Sequence, residues 1–330
     1  MTRTSSPVLG VDSGGSGIRF ALAAADGSPI GAPLVSREPV RTGPSGIDAG
    51  HLLGQLVPAA RKLAADAGVE EPTVVCVGAA GMATLGNALR AELPAALAGS
   101  LGVRRLALAG DAVTAYAGAL GQRPGAVVAG GTGMIALGTE LTEWRRADGW
   151  GHLLGDCGSG SWIGRAGLTA AMRAHDGRGG GSLPLLARLT AVFGPAGDMP
   201  GQLYPRTDRP AVLASFAPEV AACSEDGDPV ATEILREAAG HIAAAAAAAC
   251  PPPEAGECEV AFTGGLFRMG DPLLVPLRAE LDGQLPHARP VPAAGDPLAG
   301  ALLIAAAIES DSLRLPLHPQ LLYVATEQDR

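Results

Sequence analysis

The sequence has a single lysine, Lys62, and no G-x-x-x-x-G-K-[ST] motif, so a P-loop nucleotide site is excluded. The formal charge is −9 and no basic stripe is visible, which argues against a nucleic-acid partner. The amino-terminal residues show no signal-peptide pattern, and the longest apolar stretch, 241–250, is mostly alanine and too short to cross a bilayer. These absences predict a cytoplasmic protein without membrane or nucleic-acid partners.

Cysteines and aromatic residues are also scarce. The five cysteines are odd in number and include no C-x-x-C pair, a pattern that fits neither a disulfide framework nor a zinc site. Aromatic residues make up 3% of the chain, so the core must be built mainly from alanine, valine and leucine. The chain has 330 residues, of which 47% are hydrophobic, and this is enough for about two domains with substantial cores.

A strand, a glycine-rich turn and a second strand occur twice, near residues 8–24 and 126–146. The first copy is followed by alternating helices and strands, which is typical of a mixed sheet with helices on its faces. Two copies of one unit predict two related halves. The expected domains are 1–112 together with 309–330, and 113–308 with a helical insert at 165–250.

Three buried strands end in turns built from glycine and a small hydroxyl residue, at 12–17, 130–133 and 263–265. Glycine lets backbone N–H groups come close to a ligand, and successive N–H groups form a concavity that suits phosphate oxygens. One such turn alone is more often a plain hairpin, but three in this order predict a nucleotide site. The candidate nucleotide-binding residues are Asp12, Gly14, Gly15, Ser16, Gly131, Thr132, Gly133, Gly264 and Gly265.

Two aspartates stand at strand ends. Asp12 closes the first buried strand, where a carboxylate can hold Mg²⁺ directly or through its waters; a hydrogen bond into the adjacent turn is the alternative role. Asp111 follows the strand 105–109 and opens the helix 112–120. It is either an N-cap or, in a cleft near the domain boundary, the base that accepts a hydroxyl proton during phosphoryl transfer.

The segment 149–164, GWGHLLGDCGSGSWIG, is too unusual to be generic. It resembles the sugar-binding loop of the N-acetylglucosamine kinases in the BadF/BadG/BcrA/BcrD ATPase family, whose usual form is GWG-x-x-x-GDEGS-x-x-W-I. The other motifs follow in family order over nearly the whole chain, with Asp111 as the catalytic aspartate and 295–301 as the last connecting helix.

The resemblance implies an α/β, two-domain actin-like (ribonuclease H-like) fold that binds ATP, Mg²⁺ and a sugar in the cleft between its domains, and it implies a homodimer. It also implies that Gly149, Trp150, Gly151 and Asp156 contact the sugar, although a tryptophan on its own more often packs. The expected reaction is phosphorylation of an amino sugar, first of all N-acetylglucosamine at its 6-hydroxyl group. Glucosamine and N-acetylmuramic acid are the near alternatives.

Four places depart from the family pattern. Cys157 replaces a glutamate, Met134 replaces a serine, the segment 78–81 lacks a serine, and the loop 42–46 lacks an asparagine. These departures leave the ATP chemistry unchanged but leave the identity of the sugar open, because discrimination depends on a few paired contacts. Two remote alternatives remain. An ATP-driven activator of a dehydratase would need converging cysteines for an iron–sulfur cluster, and the other alternative is a sugar-sensing regulator.

Overall fold

The computed structural model describes residues 6–15, 17–43, 46–255 and 258–325. Within these ranges the strands are, in chain order, β1 (Val8–Gly14), β2 (Gly17–Ala23), β3 (Pro29–Ser36), β4 (Thr42–Gly43), β5 (Gly46–Ile47), β6 (Val74–Ala79), β7 (Arg105–Gly110), β8 (Gly125–Gly130), β9 (Met134–Thr139), β10 (Trp144–Asp148), β11 (Cys258–Thr263), β12 (Ala288–Pro292) and β13 (Leu322–Val324). The α-helices are α1 (Ala49–Ala67), α2 (Met82–Leu85), α3 (Asn87–Leu101), α4 (Asp111–Leu120), α5 (Gly160–His175), α6 (Leu183–Phe193), α7 (Met199–Leu203), α8 (Arg209–Ala214), α9 (Ala217–Glu225), α10 (Pro229–Ala249), α11 (Asp271–Gln284) and α12 (Pro297–Glu309).

By packing, the chain divides into two units. The first comprises the residues up to Gly125, the segment Thr139–Trp144 and the residues from Pro292 onward. The second comprises Ala126–Gly138 and Arg145–Val291. Each unit has its own sheet and its own hydrophobic core.

The first unit is built on a six-stranded mixed sheet in the order β13-β7-β6-β1-β2-β3. Strands β1, β6 and β7 run parallel, whereas β2, β3 and β13 are antiparallel to their neighbours. Helices α1 and α3 cover one face, where Phe20, Leu52 and Leu97 are fully buried, and α12 packs on β1 and β6. Because the central strands are parallel, the carboxyl ends of β1, β6 and β7 meet at one edge of the sheet.

The second unit has a five-stranded sheet in the order β10-β9-β8-β11-β12. Helices α5 to α10 follow one another between β10 and β11, and α10 packs against α11, α9 and α5. The buried face of α10 is mostly alanine, including Ala238, Ala239, Ala243 and Ala246, and these short side chains let the helices approach closely. The prediction of α/β structure with mixed sheets and helices on their faces is thus confirmed.

The division between the units differs from the predicted boundary at residues 112 and 113. Both α4 and α12 lie in the first unit, where they pack against each other. Their backbones touch because two glycines leave room, since a side chain at Gly118 would collide with the carbonyl group of Asp296 and one at Gly300 with that of Thr114. The sequence predicts α12 in the second domain, whereas the packing groups it with the first unit. Apolar periodicity does not reveal which sheet a helix covers.

Two further expectations concern the cysteines and the membrane. Cys250, after α10, and Cys258, at the start of β11, form a disulfide, so the expectation of no disulfide is wrong for this pair. The end of α10 and the start of β11 therefore lie close together, which the spacing of the two cysteines did not indicate. Among the described residues, no helix is both long enough and apolar enough to cross a membrane.

Candidate functional site

The first glycine turn joins β1 to β2 in the first unit. Gly14 and Gly15 face open space, since a Cβ atom built on either would have no neighbour within 4 Å, and neither has a positive φ. The fold therefore does not require glycine at these two positions, whereas Gly17 has a φ of 136°. Ser16, which the sequence analysis assigned to the nucleotide, lies outside the described residues.

Asp12 lies near the end of β1, directly opposite Arg19 of β2. Both Nε and Nη2 of Arg19 donate hydrogen bonds to Oδ2 of Asp12, at 3.0 and 2.7 Å. No described residue donates a hydrogen bond to Oδ1 of Asp12. Nη1 of Arg19 donates to Asp296, which sequence reasoning did not single out.

The residues around Asp12 show whether this carboxylate is suited to bind Mg²⁺. No group of three or more His, Cys, Asp or Glu side chains that could hold a metal converges among the described residues, so these residues do not form a metal cage by themselves. Mg²⁺ keeps several waters and is commonly bound by one or two carboxylates together with substrate phosphates. Oδ1 of Asp12, beside the open glycine turn, fits that mode of binding.

Asp111 is the first residue of α4, immediately after β7. The N-cap is Gly110, which has no side chain, so Asp111 is not the N-cap that the alternative interpretation required. Its side chain is exposed, and Oδ1 accepts a hydrogen bond of 2.9 Å from the N–H group of Ala112. Because β1, β6 and β7 are parallel neighbours, Asp12 and Asp111 lie at the same edge of the sheet, with β6 between their strands.

The second and third glycine turns meet in the second unit. Gly264 has a φ of 102°, and a side chain there would collide with the carbonyl group of Gly130. Gly131 donates a hydrogen bond of 2.8 Å to the carbonyl group of Gly133. Among the described residues, no backbone carbonyl group accepts from the N–H groups of Thr132 and Gly133. Gly131 and Gly265 have no neighbour within 4 Å of a Cβ position and no positive φ.

These two turns border a pocket of 520 Å³. One wall is a stripe of α9, whose residues recur at helical spacing and have short side chains; the stripe consists of Ala217, Pro218, Ala221 and Ala222. Leu266, Met269, Gly131 and Gly160 also line the pocket, together with the polar residues Thr132, Glu225 and Arg268. The pocket is therefore a mostly apolar slot bordered by the second glycine turn, which suits a flat ring that carries phosphates.

The loop after β10 owes its shape to left-handed residues and to one carboxylate. Asp148, Gly149, Gly151 and Asp156 all have positive φ angles. Asp148 accepts hydrogen bonds from the N–H groups of Asp156 (2.7 Å) and Cys157 (2.9 Å) and so ties the two ends of the loop together. Sequence reasoning missed Asp148, although an aspartate directly before a glycine motif is a signal that could have been used.

The structure brings Asp156 to the second glycine turn, since a Cβ atom on Gly133 would lie 2.8 Å from Oδ2 of Asp156. Burial raises the pKa of Asp156, and the backbone N–H groups of Met134 and Gly151, which donate to the carboxylate, offset only part of this effect. Trp150, by contrast, is 63% exposed. The guanidinium of Arg146 lies 4.2 Å from the centre of the Trp150 ring.

Replacing Asp148 with alanine should lower the free energy of unfolding by about 3 kcal/mol, because two hydrogen bonds to a charged acceptor are lost. Urea denaturation measures this loss. Asp148→Asn is the matched control, since asparagine tolerates a φ of 59° and keeps one acceptor oxygen, and it should lose about half as much. Equal, small losses in both variants would show that Asp148 does not organise the loop.

Comparison with known proteins gives a consistent result. A model of the BadF/BadG/BcrA/BcrD ATPase family matches residues 9–305. The N-acetylmuramic acid/N-acetylglucosamine kinase of Clostridium acetobutylicum is 32% identical over 179 residues, which cover 52% of this chain and 56% of that protein. The matched region thus spans little more than half the length of this curated relative.

Two solved structures are similar over most of the chain. A candidate N-acetylglucosamine kinase from Chromobacterium violaceum has a TM-score of 0.67 and 30% identity and covers 91% of this chain and 99% of its own. A ROK family glucokinase from Streptomyces griseus, solved with glucose and AMPPNP, has a TM-score of 0.56 and 18% identity. The match covers 93% of this chain and 100% of the glucokinase chain. The likeness in fold confirms the predicted two-domain actin-like fold.

Proposed function

The chain belongs to the BadF/BadG/BcrA/BcrD ATPase family, and from this premise we propose that it transfers the γ-phosphoryl group of ATP to a hydroxyl group of an amino sugar. We further propose N-acetylglucosamine as the substrate, phosphorylated at its 6-hydroxyl group. N-acetylmuramic acid is the second candidate, because the relative from Clostridium acetobutylicum is named for both sugars. Glucosamine remains an alternative. The cytoplasmic location, expected from the sequence pattern, and the homodimer, implied by the resemblance, stay predictions.

One observation supports the ATP site above all others. Gly14, Gly15, Gly131 and Gly265 have no positive φ and no close neighbour, so the fold alone does not explain why they are glycines. A ligand that must approach the backbone does explain it, because any side chain would fill the space that the ligand occupies. In this proposal the apolar slot beside α9 receives the adenosine, and the N–H groups of Thr132 and Gly133 donate to phosphate oxygens.

The proposed mechanism assigns one task to each residue. The oxygen of the sugar hydroxyl group attacks the γ-phosphorus while Asp111 accepts the proton of that hydroxyl group. At the same time the bond between the γ-phosphorus and the β–γ bridging oxygen breaks, and ADP leaves. Backbone N–H groups of the glycine turns stabilise the charge on the phosphate oxygens. Mg²⁺, held by Oδ1 of Asp12 and by waters, would neutralise part of the triphosphate charge. Asp156 accepts hydrogen bonds from sugar hydroxyl groups and thereby orients the acceptor.

A coupled assay of ADP release against a panel of sugars tests the proposal. The panel should contain N-acetylglucosamine, N-acetylmuramic acid, glucosamine and glucose. We expect turnover with the N-acetylated amino sugars and little with glucose. ATP hydrolysis that is indifferent to every sugar, or an iron absorbance band in the purified protein, would instead favour the dehydratase activator, and sugar binding without turnover would favour a regulator.

Gly131→Ala should raise the KM for ATP about tenfold or more, because the new methyl group points into the space assigned to phosphate. The free energy of unfolding should change by less than about 1 kcal/mol, since the fold has room for the methyl group. Steady-state kinetics and urea denaturation give the two values.

Gly99→Ala is the matched control for that substitution. Gly99 has equally open surroundings, but it lies within α3 and belongs to none of the three glycine turns. It should leave the KM for ATP unchanged and should gain up to about 1 kcal/mol of stability from its higher helix propensity. An unchanged KM in Gly131→Ala as well would remove the main support for the phosphate cradle.

A further inference from the structure

Arg19 donates hydrogen bonds to only one of the two carboxylate oxygens of Asp12. Nε and Nη2 of Arg19 both donate to Oδ2, and no described residue donates to Oδ1. The Asp12 side chain is only 17% exposed, so the ion pair is shielded from water more than an ordinary surface pair. The carboxylate is thus held in one orientation, with Oδ1 as its open oxygen.

Asp296 holds Arg19 from the other side. Its Oδ2 accepts the hydrogen bond from Nη1 of Arg19. Its Oδ1 accepts a hydrogen bond of 3.0 Å from the N–H group of Ala299, as the N-cap of α12. The backbone of Asp296 is wedged against Gly118 of α4. Asp296 is therefore fixed by the packing of α4 and α12, and this gives Arg19 a firm anchor that does not depend on Asp12.

The charges of the three side chains do not cancel. Two carboxylates and one guanidinium leave one net negative charge at the edge of the sheet where the first glycine turn begins. Asp296 also serves as the N-cap of α12, but the open oxygen of Asp12 has no such structural task among the described residues. The net negative charge and the open oxygen both suit a cation that approaches Oδ1.

We propose that Arg19 is a positioning residue that orients Asp12 so that Oδ1 meets the Mg²⁺ of Mg·ATP, with Asp296 keeping Arg19 in place. This inference rests on the proposed ATP site. Groups that hydrogen-bond a metal-ligating carboxylate fix its orientation, and their loss commonly weakens metal affinity by about 10- to 100-fold. Arg19 acts through Asp12 and makes no contact with the nucleotide in this proposal.

The test is ATP binding by calorimetry, with a titration of Mg²⁺ and, separately, with EDTA. Mg²⁺ is expected to increase the affinity for ATP, and the Mg²⁺ concentration that gives half of this increase is the measured quantity. In Arg19→Met this concentration should be about tenfold higher or more. Without metal, the Kd for ATP should change by less than about threefold, which is under 1 kcal/mol. Arg19→Lys keeps the charge but cannot donate two bonds from a rigid fork, so it should lie between the wild type and Arg19→Met.

Two controls keep the test decisive. Arg206 also donates two hydrogen bonds to a carboxylate, that of Asp208, on the exposed surface of the second unit. Arg206→Met removes this pair and should change neither the Mg²⁺ requirement nor the Kd for ATP without metal. Asp296→Asn keeps an oxygen for the N-cap but removes the anchoring charge, so it should raise the Mg²⁺ requirement less than Arg19→Met does. If Arg19→Met does not fold, Arg19→Lys and Asp296→Asn still give the answer.

Each outcome decides between specific possibilities. A tenfold loss of ATP affinity in EDTA would show that Arg19 contacts phosphate and would overturn the positioning role. A lower Tm with an unchanged Mg²⁺ requirement in all variants would make the contact purely structural and would also overturn it. If the wild type binds no ATP, the proposed function fails first, and this result is distinguishable from the other two.

Discussion

Asp111→Asn should lower kcat for phosphorylation of the amino sugar by about 10²- to 10⁴-fold, which is the usual contribution of a positioned base. Asparagine has nearly the same shape but cannot accept a proton, so the sugar hydroxyl group would have to attack while still protonated. The Kd for ATP should stay the same, because Asp111 has no part in the proposed phosphate cradle. Rapid-quench kinetics and calorimetry with ATP measure the two quantities separately.

Asp271→Asn is a closely matched control for this substitution. Asp271 is the first residue of α11, its N-cap is also a glycine, and neither helix has a side-chain cap bond. A negative charge in the first turn stabilises a helix by about 0.3–1 kcal/mol, and both substitutions remove such a charge. Asp271→Asn should therefore cost the same stability without any loss of kcat. Equal activity in the two variants would exclude Asp111 as the base.

The residues that the sequence predicted share one property, which is that their signal is local. The three glycine turns each directly follow a buried strand, and the loop 149–164 is a continuous motif. The structure joins two of these turns in one pocket and brings Asp156 to Gly133. Local pattern alone did not show that the third turn lies against the second.

The residues that the sequence did not reveal act at long range. Arg19 and Asp296 are separated by 277 positions, and their contact depends on α12 packing against the first sheet. That packing in turn depends on Gly118 and Gly300, which look like ordinary helical glycines in the sequence. The sequence therefore did not predict the division between the units or the contact between Arg19 and Asp296, and the physical reason is the same for both.

Asp156→Asn should raise the KM for the sugar about 100-fold, equivalent to roughly 2.7 kcal/mol, and leave the KM for ATP unchanged. A carboxylate accepts hydrogen bonds at both oxygens, whereas the amide group of asparagine presents a donor to one of the sugar hydroxyl groups. Asparagine is preferred to alanine here because the φ of 53° at this position strains alanine. Asp311→Asn is the matched control, since Asp311 has the same φ of 53° and lies in the first unit.

The pH dependence of the sugar KM gives a second measurement of the same role. Burial raises the pKa of Asp156, and only the ionised carboxylate accepts hydrogen bonds at both oxygens. As the pH falls through this raised pKa, the carboxylate is protonated and the sugar KM should rise, at a higher pH than an ordinary aspartate with a pKa of about 3.9 would require. The Asp156→Asn variant has no such proton to gain, so its sugar KM should stay flat over that range. A parallel rise in both proteins would assign the titration to another group and would remove Asp156 from the sugar site.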